Sequence, residues 1–600
     1  MAEELKKRSE VAKETTWATE DLYASDELWE EDFARAQEMI EIAKQYQGHL
    51  GDSAEVLYSY LMEEERQSVV LDSLSNYASR KHDEDTAEPK YQAMRSKLMS
   101  FYTKLGTAYA FAEPELVEIP EETYQEFYRQ KPELEKYRRY IGKILRKKPH
   151  TLSKREEELV AAASEALDVA SETFSVLNDA DLKFPVIPDG EGGEVRITHG
   201  NYTRLLESKN REIRKAAFEA VYSVYDQFKN TSASLLYGQV KKLMFYAQQF
   251  HYNSTMEQAL FNNEIPVAVY KNLIETVHAN MDKMYRYVAL RKKLLGVDEL
   301  HMYDVYTPIV SGVDMKIPFD EAKKIVYEAL APMGEEYRAL IKEGFEKRWI
   351  DVYENEGKRS GAYSAGAMVH PYVLLNYSGT LDSVFTLAHE MGHALHSWYS
   401  NHRQSALYSR YRIFVAEVAS TCNEALLMHY LLEKTTDKKE RAYLINHALE
   451  EFKGTLYRQA MFAEFEMMIN EMAERGEVLT ADVLSRKYHD LLALYFGKEM
   501  VLDPQIDLEW ARIPHFYYDF YVYQYATGYS AATALSAKIL AEGESAVKDY
   551  IKFLSGGCST DPISLLKIAG VDMSTSKPIE QALSVFAGYL DEMEELVKEL

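Results

Sequence analysis

The chain has 600 residues, with 69 Lys and Arg against 96 Asp and Glu, for a formal net charge of −27. A surface this acidic repels phosphate, which excludes nucleic acid as a partner. Its length exceeds what one hydrophobic core supports, so several packed subdomains are expected. Only Cys422 and Cys558 are present, too few for a disulfide framework, and a reducing, cytoplasmic setting is the simpler reading. Met1 to Arg8 is charged and leads into no apolar run, and no window approaches about twenty uninterrupted apolar residues. A soluble protein with no membrane partner is expected.

From the N-terminus, Leu28 to Tyr46 reads as one amphipathic helix, with Trp29, Phe33, Ala36, Met39, Ile40 and Ala43 on a single stripe. Segments near 54–79, 87–110, 121–145 and 153–178 repeat the helical period. Lys183–Val186 and Glu194–Ile197 read as two short strands around the Gly-rich turn Ile187-Pro188-Asp189-Gly190-Glu191-Gly192-Gly193. The main organisational boundary is placed near 200, giving a helical N-terminal region over 1–200 and a second region over 201–600. More helices follow. Gly361, Gly366, Pro371 and Gly379 then interrupt the pattern, and Tyr372–Tyr377 is the best strand candidate of the second half. The fold class is mainly α, with a small β-sheet beside the segment that follows.

That segment is His389-Glu390-Met391-Gly392-His393. On a helix, residues four apart share a face, so both imidazoles can reach one metal ion. Glu390 projects beside the first, where a carboxylate can take a proton from water activated by the metal. Thr380 and Asp382 are candidate caps for this helix. Two histidines leave a catalytic zinc one protein ligand short. Glu417, 24 residues after His393, can supply it from an antiparallel return helix. Its neighbours Phe414, Val415, Val418 and Ala419 carry the carboxylate inward, and a metal is one good reason to bury a carboxylate. Glu424 lies seven residues further on, near the same face, where it can orient a ligand histidine. His396 is expected to support the site or the core rather than to bind metal.

The stretch His389 to His396, with Phe414-Val415-Ala416-Glu417-Val418-Ala419-Ser420-Thr421-Cys422-Asn423-Glu424, resembles the thimet-oligopeptidase-type metallopeptidases, peptidase family M3. Within that family it is most similar to the oligoendopeptidase F branch. Gly361-Ala362-Tyr363-Ser364 and Ile513-Pro514-His515-Phe516-Tyr517-Tyr518 agree with that branch. The resemblance covers most of the chain from about 115 onward, with the N-terminal type of that branch over about 115–185. It implies an elongated, two-lobed, multi-helix enzyme with a deep central channel, which cleaves short unstructured peptides. It implies one Zn2+ held by His389, His393 and Glu417, with Glu390 as general base. It further implies a histidine and tyrosines, on a helix facing the metal, that bind substrate and its tetrahedral intermediate. His515, Tyr518 and Tyr521 match them, the two tyrosines being three apart and so expected on one helix face. The strand Tyr372–Tyr377 would offer backbone groups to an extended peptide. Two alternatives stay open: a carboxypeptidase or dipeptidyl carboxypeptidase, and a peptide-binding scaffold without catalysis. The sequence leaves the oligomeric state open.

Overall fold

The computed structural model describes residues 5–310 and 316–598. The protein is mainly α-helical, and its strands are only two or three residues long. Packing divides the chain into two compact units, each assembled from three separate stretches. Met1–Pro149, Met315–Tyr430 and Leu535–Val571 form the first; His150–Asp314, Leu431–Ala534 and Asp572–Leu600 form the second. The boundary expected near 200 therefore falls inside the second unit. The reason is the 39-residue helix Arg211–Gln249, which packs along Lys154–Val176 from the other side of that boundary. Lys242 and Asp168 pair across the two helices at 2.7 Å.

In the first unit, the stripe from Trp29 to Ala43 is buried as its period requires, with Ile40 half-buried. It is not one helix, however. Asp26–Ala36 and Met39–Tyr46 are separate helices, and the break at Gln37 and Glu38 lets the second settle against Pro89–Tyr109. Ala54–Glu84 and Pro89–Tyr109 confirm the next two segments. The segment 121–145 is cut into three helical pieces, because Pro132 lacks the amide that would continue the first.

In the second unit, the early strands are Val186–Pro188 and Glu194–Arg196, with Ile187 paired to Val195. The first lies three residues later than the sequence indicates. Ile187 is buried, and Asp189 closes the turn by accepting from Glu191 N–H (2.8 Å) and Gly193 N–H (2.9 Å).

The sheet expected beside the His-Glu motif belongs to the first unit. Its order is Ile350–Asp351, Tyr372–Leu374, Tyr363–Ala365, with the first pair parallel and the second antiparallel. Tyr372–Leu374 is thus the central strand, which corrects the expectation that 372–377 receives a peptide. Val373 N–H donates to Trp349 O (2.8 Å), Leu375 N–H to Asp351 O (2.8 Å) and Tyr377 N–H to Val352 O (2.9 Å). The opposite side of the strand is taken by Tyr363–Ala365, which is the sheet's edge. Buried Trp17, Ala367, Tyr372 and Leu374 pack together on this sheet. Among the described residues, no helix is long and apolar enough to cross a membrane.

Candidate metal centre

The motif lies on the helix Leu381–Arg403. Of the two candidate caps, Thr380 does the work: its Oγ1 accepts the Ser383 N–H at 3.2 Å. Buried Val384, Leu387, Ala388, Met391, Ala394 and Leu395 anchor the helix. Glu417 lies in the first turn of the return helix Ala416–Lys434, with Phe414, Val415, Val418 and Ala419 all buried around it.

The two helices run antiparallel at backbone contact. Asn423 Nδ2 donates to Ala388 O at 3.0 Å, and the Tyr337 hydroxyl donates to Asn423 Oδ1 at 2.9 Å. One turn along the motif helix from Ala388, Gly392 faces the partner backbone so closely that a Cβ there would lie 2.6 Å from both Ala419 O and Ser420 Cα. Only a residue without a side chain permits this approach. Gly392→Ala is therefore expected to destabilise the fold by about 1–3 kcal/mol, the usual cost of overpacking, and to weaken metal binding by parting the helices. Thermal unfolding and zinc titration read the two effects. A thermal midpoint and an affinity both equal to those of the unsubstituted protein contradict the close-approach argument.

The spacing of the donor atoms fits a metal ion. His389 Nε2 and His393 Nε2 each lie 3.4 Å from Glu417 Oε2, and all three ligand atoms fall within 4.8 Å of one another. Two donors bound tetrahedrally at about 2.1 Å from one ion sit about 3.4 Å apart, so two of the pairs already stand at a ligand–ligand separation. The set of two imidazoles, one carboxylate and no thiolate suits an open catalytic site rather than a closed structural one. On the far side of His389, Nδ1 lies 3.2 Å from Glu424 Oε2. Such a contact fixes the ring's tautomer and orientation.

The donor groups also attract one another through opposite charge. Burial opposes the charged form of His389, yet hydrogen bonding to Glu417 and Glu424 holds its pKa well above the usual imidazole range. Burial likewise opposes the Glu417 carboxylate, but His389 and His393 hold its pKa well below the usual range. Glu390 differs. It is 6% exposed, burial raises its pKa with His389 and His393 opposing, and its buried Oε2 has no hydrogen-bond partner among the described residues. A buried carboxyl oxygen with nothing to bond is costly in a folded protein unless a ligand uses it. His396 is fully buried outside the donor set and stacks face to face on Tyr411, with ring centroids 3.6 Å apart, as a core residue.

The remaining candidates belong to the second unit. His515 lies in the short turn Pro514–Tyr517, and burial lowers its pKa. Its ring centroid is 5.5 Å from that of Tyr518 and 6.5 Å from that of Tyr521, while Tyr518 and Tyr521 are themselves 6.5 Å apart. They do form a cluster, but not on a helix face. The next helix begins only at Tyr523, and Tyr518 and Tyr521 converge through a turn in which Asp519 and Phe520 have φ of 54° and 58°. Sequence reasoning also missed Asn423 and Tyr337. An Asn four residues from both Ala419 and Leu427, on an apolar face of the helix, is the signal that could have drawn attention to the first. Tyr525 joins the cluster 5.5 Å from Tyr521.

The profile of peptidase family M3 matches residues 204–585, and that of oligopeptidase F matches 115–184. The chain is 51% identical to oligopeptidase PepF of Bacillus subtilis over 99% of its own length and 89% of that protein. Its fold superimposes on a putative peptidase from Chlamydophila abortus with a TM-score of 0.92 at 36% identity, over 99% of this chain and all (100%) of the other. It also superimposes on oligoendopeptidase-F from Enterococcus faecium with a TM-score of 0.75 at 39% identity, over 96% and 100% of the two chains. With the paired helices and their convergent donors in place, the chain belongs to peptidase family M3, in its oligopeptidase F branch, and is a peptidase of the metal-dependent type.

Proposed function

We propose that the protein is a zinc-dependent oligoendopeptidase that hydrolyses internal bonds of short, unstructured peptides in the cytoplasm. The observation that carries the reading is the convergence of His389 Nε2, His393 Nε2 and Glu417 Oε2, with the buried carboxyl of Glu390 next to them. Names of similar proteins, oligopeptidase and oligoendopeptidase F, agree with it. Cys422 and Cys558, both buried as free thiols, suit a reducing compartment.

His389, His393 and Glu417 hold the ion, one per chain. Bound there, zinc supplies Lewis-acid polarisation of water and of the scissile carbonyl. The Glu390 carboxylate takes the proton of the attacking water and delivers it to the departing amine nitrogen. Burial keeps bulk water away from the carboxylate and raises its basicity. Glu424 holds His389 in the tautomer whose Nε2 is free to ligate. His515, Tyr518 and Tyr521 bind the substrate, and a phenol among them donates to the developing oxyanion. The sheet edge Tyr363–Ala365 offers backbone groups to an extended peptide, which reads main chain more than side chain and makes specificity broad.

Internally quenched peptides blocked at both ends separate this reading from its rivals. The zinc-loaded protein is expected to cleave them at internal bonds, as located by mass spectrometry. Cleavage confined to peptides with a free C-terminus would instead identify a carboxypeptidase or dipeptidyl carboxypeptidase. Zinc binding without hydrolysis of any peptide pool would leave a peptide-binding scaffold.

A further inference from the structure

We propose that Glu466, assisted by Gln239, is a positioning residue for the reaction: it locks the turn at Asp519 and Phe520 and so fixes where His515, Tyr518 and Tyr521 stand. The inference rests on the reading above, in which those three residues bind substrate.

Two consecutive residues with side chains, Asp519 and Phe520, sit in the left-handed region, with φ of 54° and 58°. L-residues other than glycine avoid this region because Cβ crowds the following carbonyl. A pair in succession persists only where surrounding groups over-determine the backbone. Buried side chains from two other helices do so here. Glu466, on Arg458–Glu474, accepts the Phe520 N–H at Oε1 at 2.7 Å. Gln239, on Arg211–Gln249, donates to Asp519 Oδ1 at 2.8 Å and to Tyr517 O at 3.4 Å. The Tyr270 ring meets Phe520 edge to face at 5.8 Å.

Glu466 is a poor choice for mere packing. It is 1% exposed, and its Oε2 is buried with no partner among the described residues. An apolar side chain of the same volume would fill the space without that penalty. What an apolar side chain lacks is an acceptor for the Phe520 amide, which the strained turn directs away from its own segment. Burial lifts the Glu466 pKa to about 8, so near neutral pH the group is mainly an uncharged carboxylic acid whose carbonyl oxygen serves as that acceptor. The clamped segment bends between Tyr518 and Tyr521, and both rings lie near His515. A helical course through the same residues would carry them along an axis instead. The turn is thus what makes three residues from an irregular segment into one polar cluster.

The test uses the full-length, zinc-loaded protein and three variants. Backbone amide exchange over 517–522, read by mass spectrometry, reports the clamp whether or not the protein is active. Glu466→Ala is expected to speed that exchange at least tenfold. It should also lower kcat by about tenfold to a hundredfold, the scale of a small misplacement of reacting groups, with less change in KM and one zinc per chain retained. Glu466→Gln keeps Oε1 and is expected to match the unsubstituted protein in both readouts. Gln239→Ala should move both in the same direction by less, and it carries the test if Glu466→Ala does not fold. Unchanged exchange in Glu466→Ala overturns the clamp. Faster exchange with unchanged kcat overturns the link to the reaction, as does failure of Glu466→Gln to restore kcat. An unsubstituted protein inactive on every peptide sinks the proposed function itself and the positioning role with it, a result distinct from an active protein indifferent to Glu466.

Discussion

Replacing Glu390 by Gln is expected to lower turnover on blocked peptides by roughly a hundredfold to ten-thousandfold, the range for losing a positioned general base. Zinc content should stay at one ion per chain, because His389, His393 and Glu417 are untouched. The amide keeps the size of the acid but cannot accept and return a proton. Stability should move the other way. Glu390 is buried with Oε2 unpartnered and a pKa raised by burial, so a neutral isostere removes a desolvation penalty, and the thermal midpoint should hold or rise. The combination of lost activity, kept metal and kept or gained stability is hard to produce by damage to the fold. Substantial residual turnover would show that another group moves the proton.

Removing the Glu417 carboxylate has the second large effect, and it falls on the metal. Glu417→Ala leaves two imidazoles four residues apart, without the oxygen that stands 3.4 Å from each. Outer partners of zinc ligands are worth about 10–100-fold in affinity, so loss of a direct ligand should exceed about a hundredfold. Zinc should drop well below one per chain after dialysis, and activity with it. Glu424→Gln provides the graded control. Its contact is with Nδ1 of His389, so affinity should fall within about that 10–100-fold range while the site survives. Full zinc retention by Glu417→Ala would remove Glu417 from the ligand set. Equal losses in the two variants would mean that Glu417 acts only at a distance.

Much of the centre was legible from local rules. His389 and His393 obey the four-residue spacing of one helix face, Thr380 caps that helix, and the apolar neighbours of Glu417 carry it inward. These features depend on residues adjacent in sequence, where period and capping chemistry act. What was not legible depends on pairing over distance or on rare backbone states. Tyr372–Leu374 has a good strand composition, but its place at the centre of the sheet is set by Ile350–Asp351 and Tyr363–Ala365. Partners of two and three residues are too short to show a period. The tyrosines at 518 and 521 mimic helical spacing, and nothing in Asp519 or Phe520 announces a left-handed turn, since neither is glycine. That conformation is imposed from outside by Glu466 and Gln239, which lie far away in the chain. The interleaving of three segments in each compact unit is hidden for the same reason. The close approach at Gly392 sat inside the motif, yet only the position of Ala419 and Ser420 reveals why that residue carries no side chain.

The most direct test of the account is anomalous X-ray scattering from crystals of the zinc-loaded protein, measured on both sides of the zinc absorption edge. A single peak is expected about 2.0–2.2 Å from His389 Nε2, His393 Nε2 and a carboxylate oxygen of Glu417, with Glu390 adjacent but not bound. A peak ligated elsewhere, or one at the histidines with the Glu417 side chain turned away, would contradict the central claim.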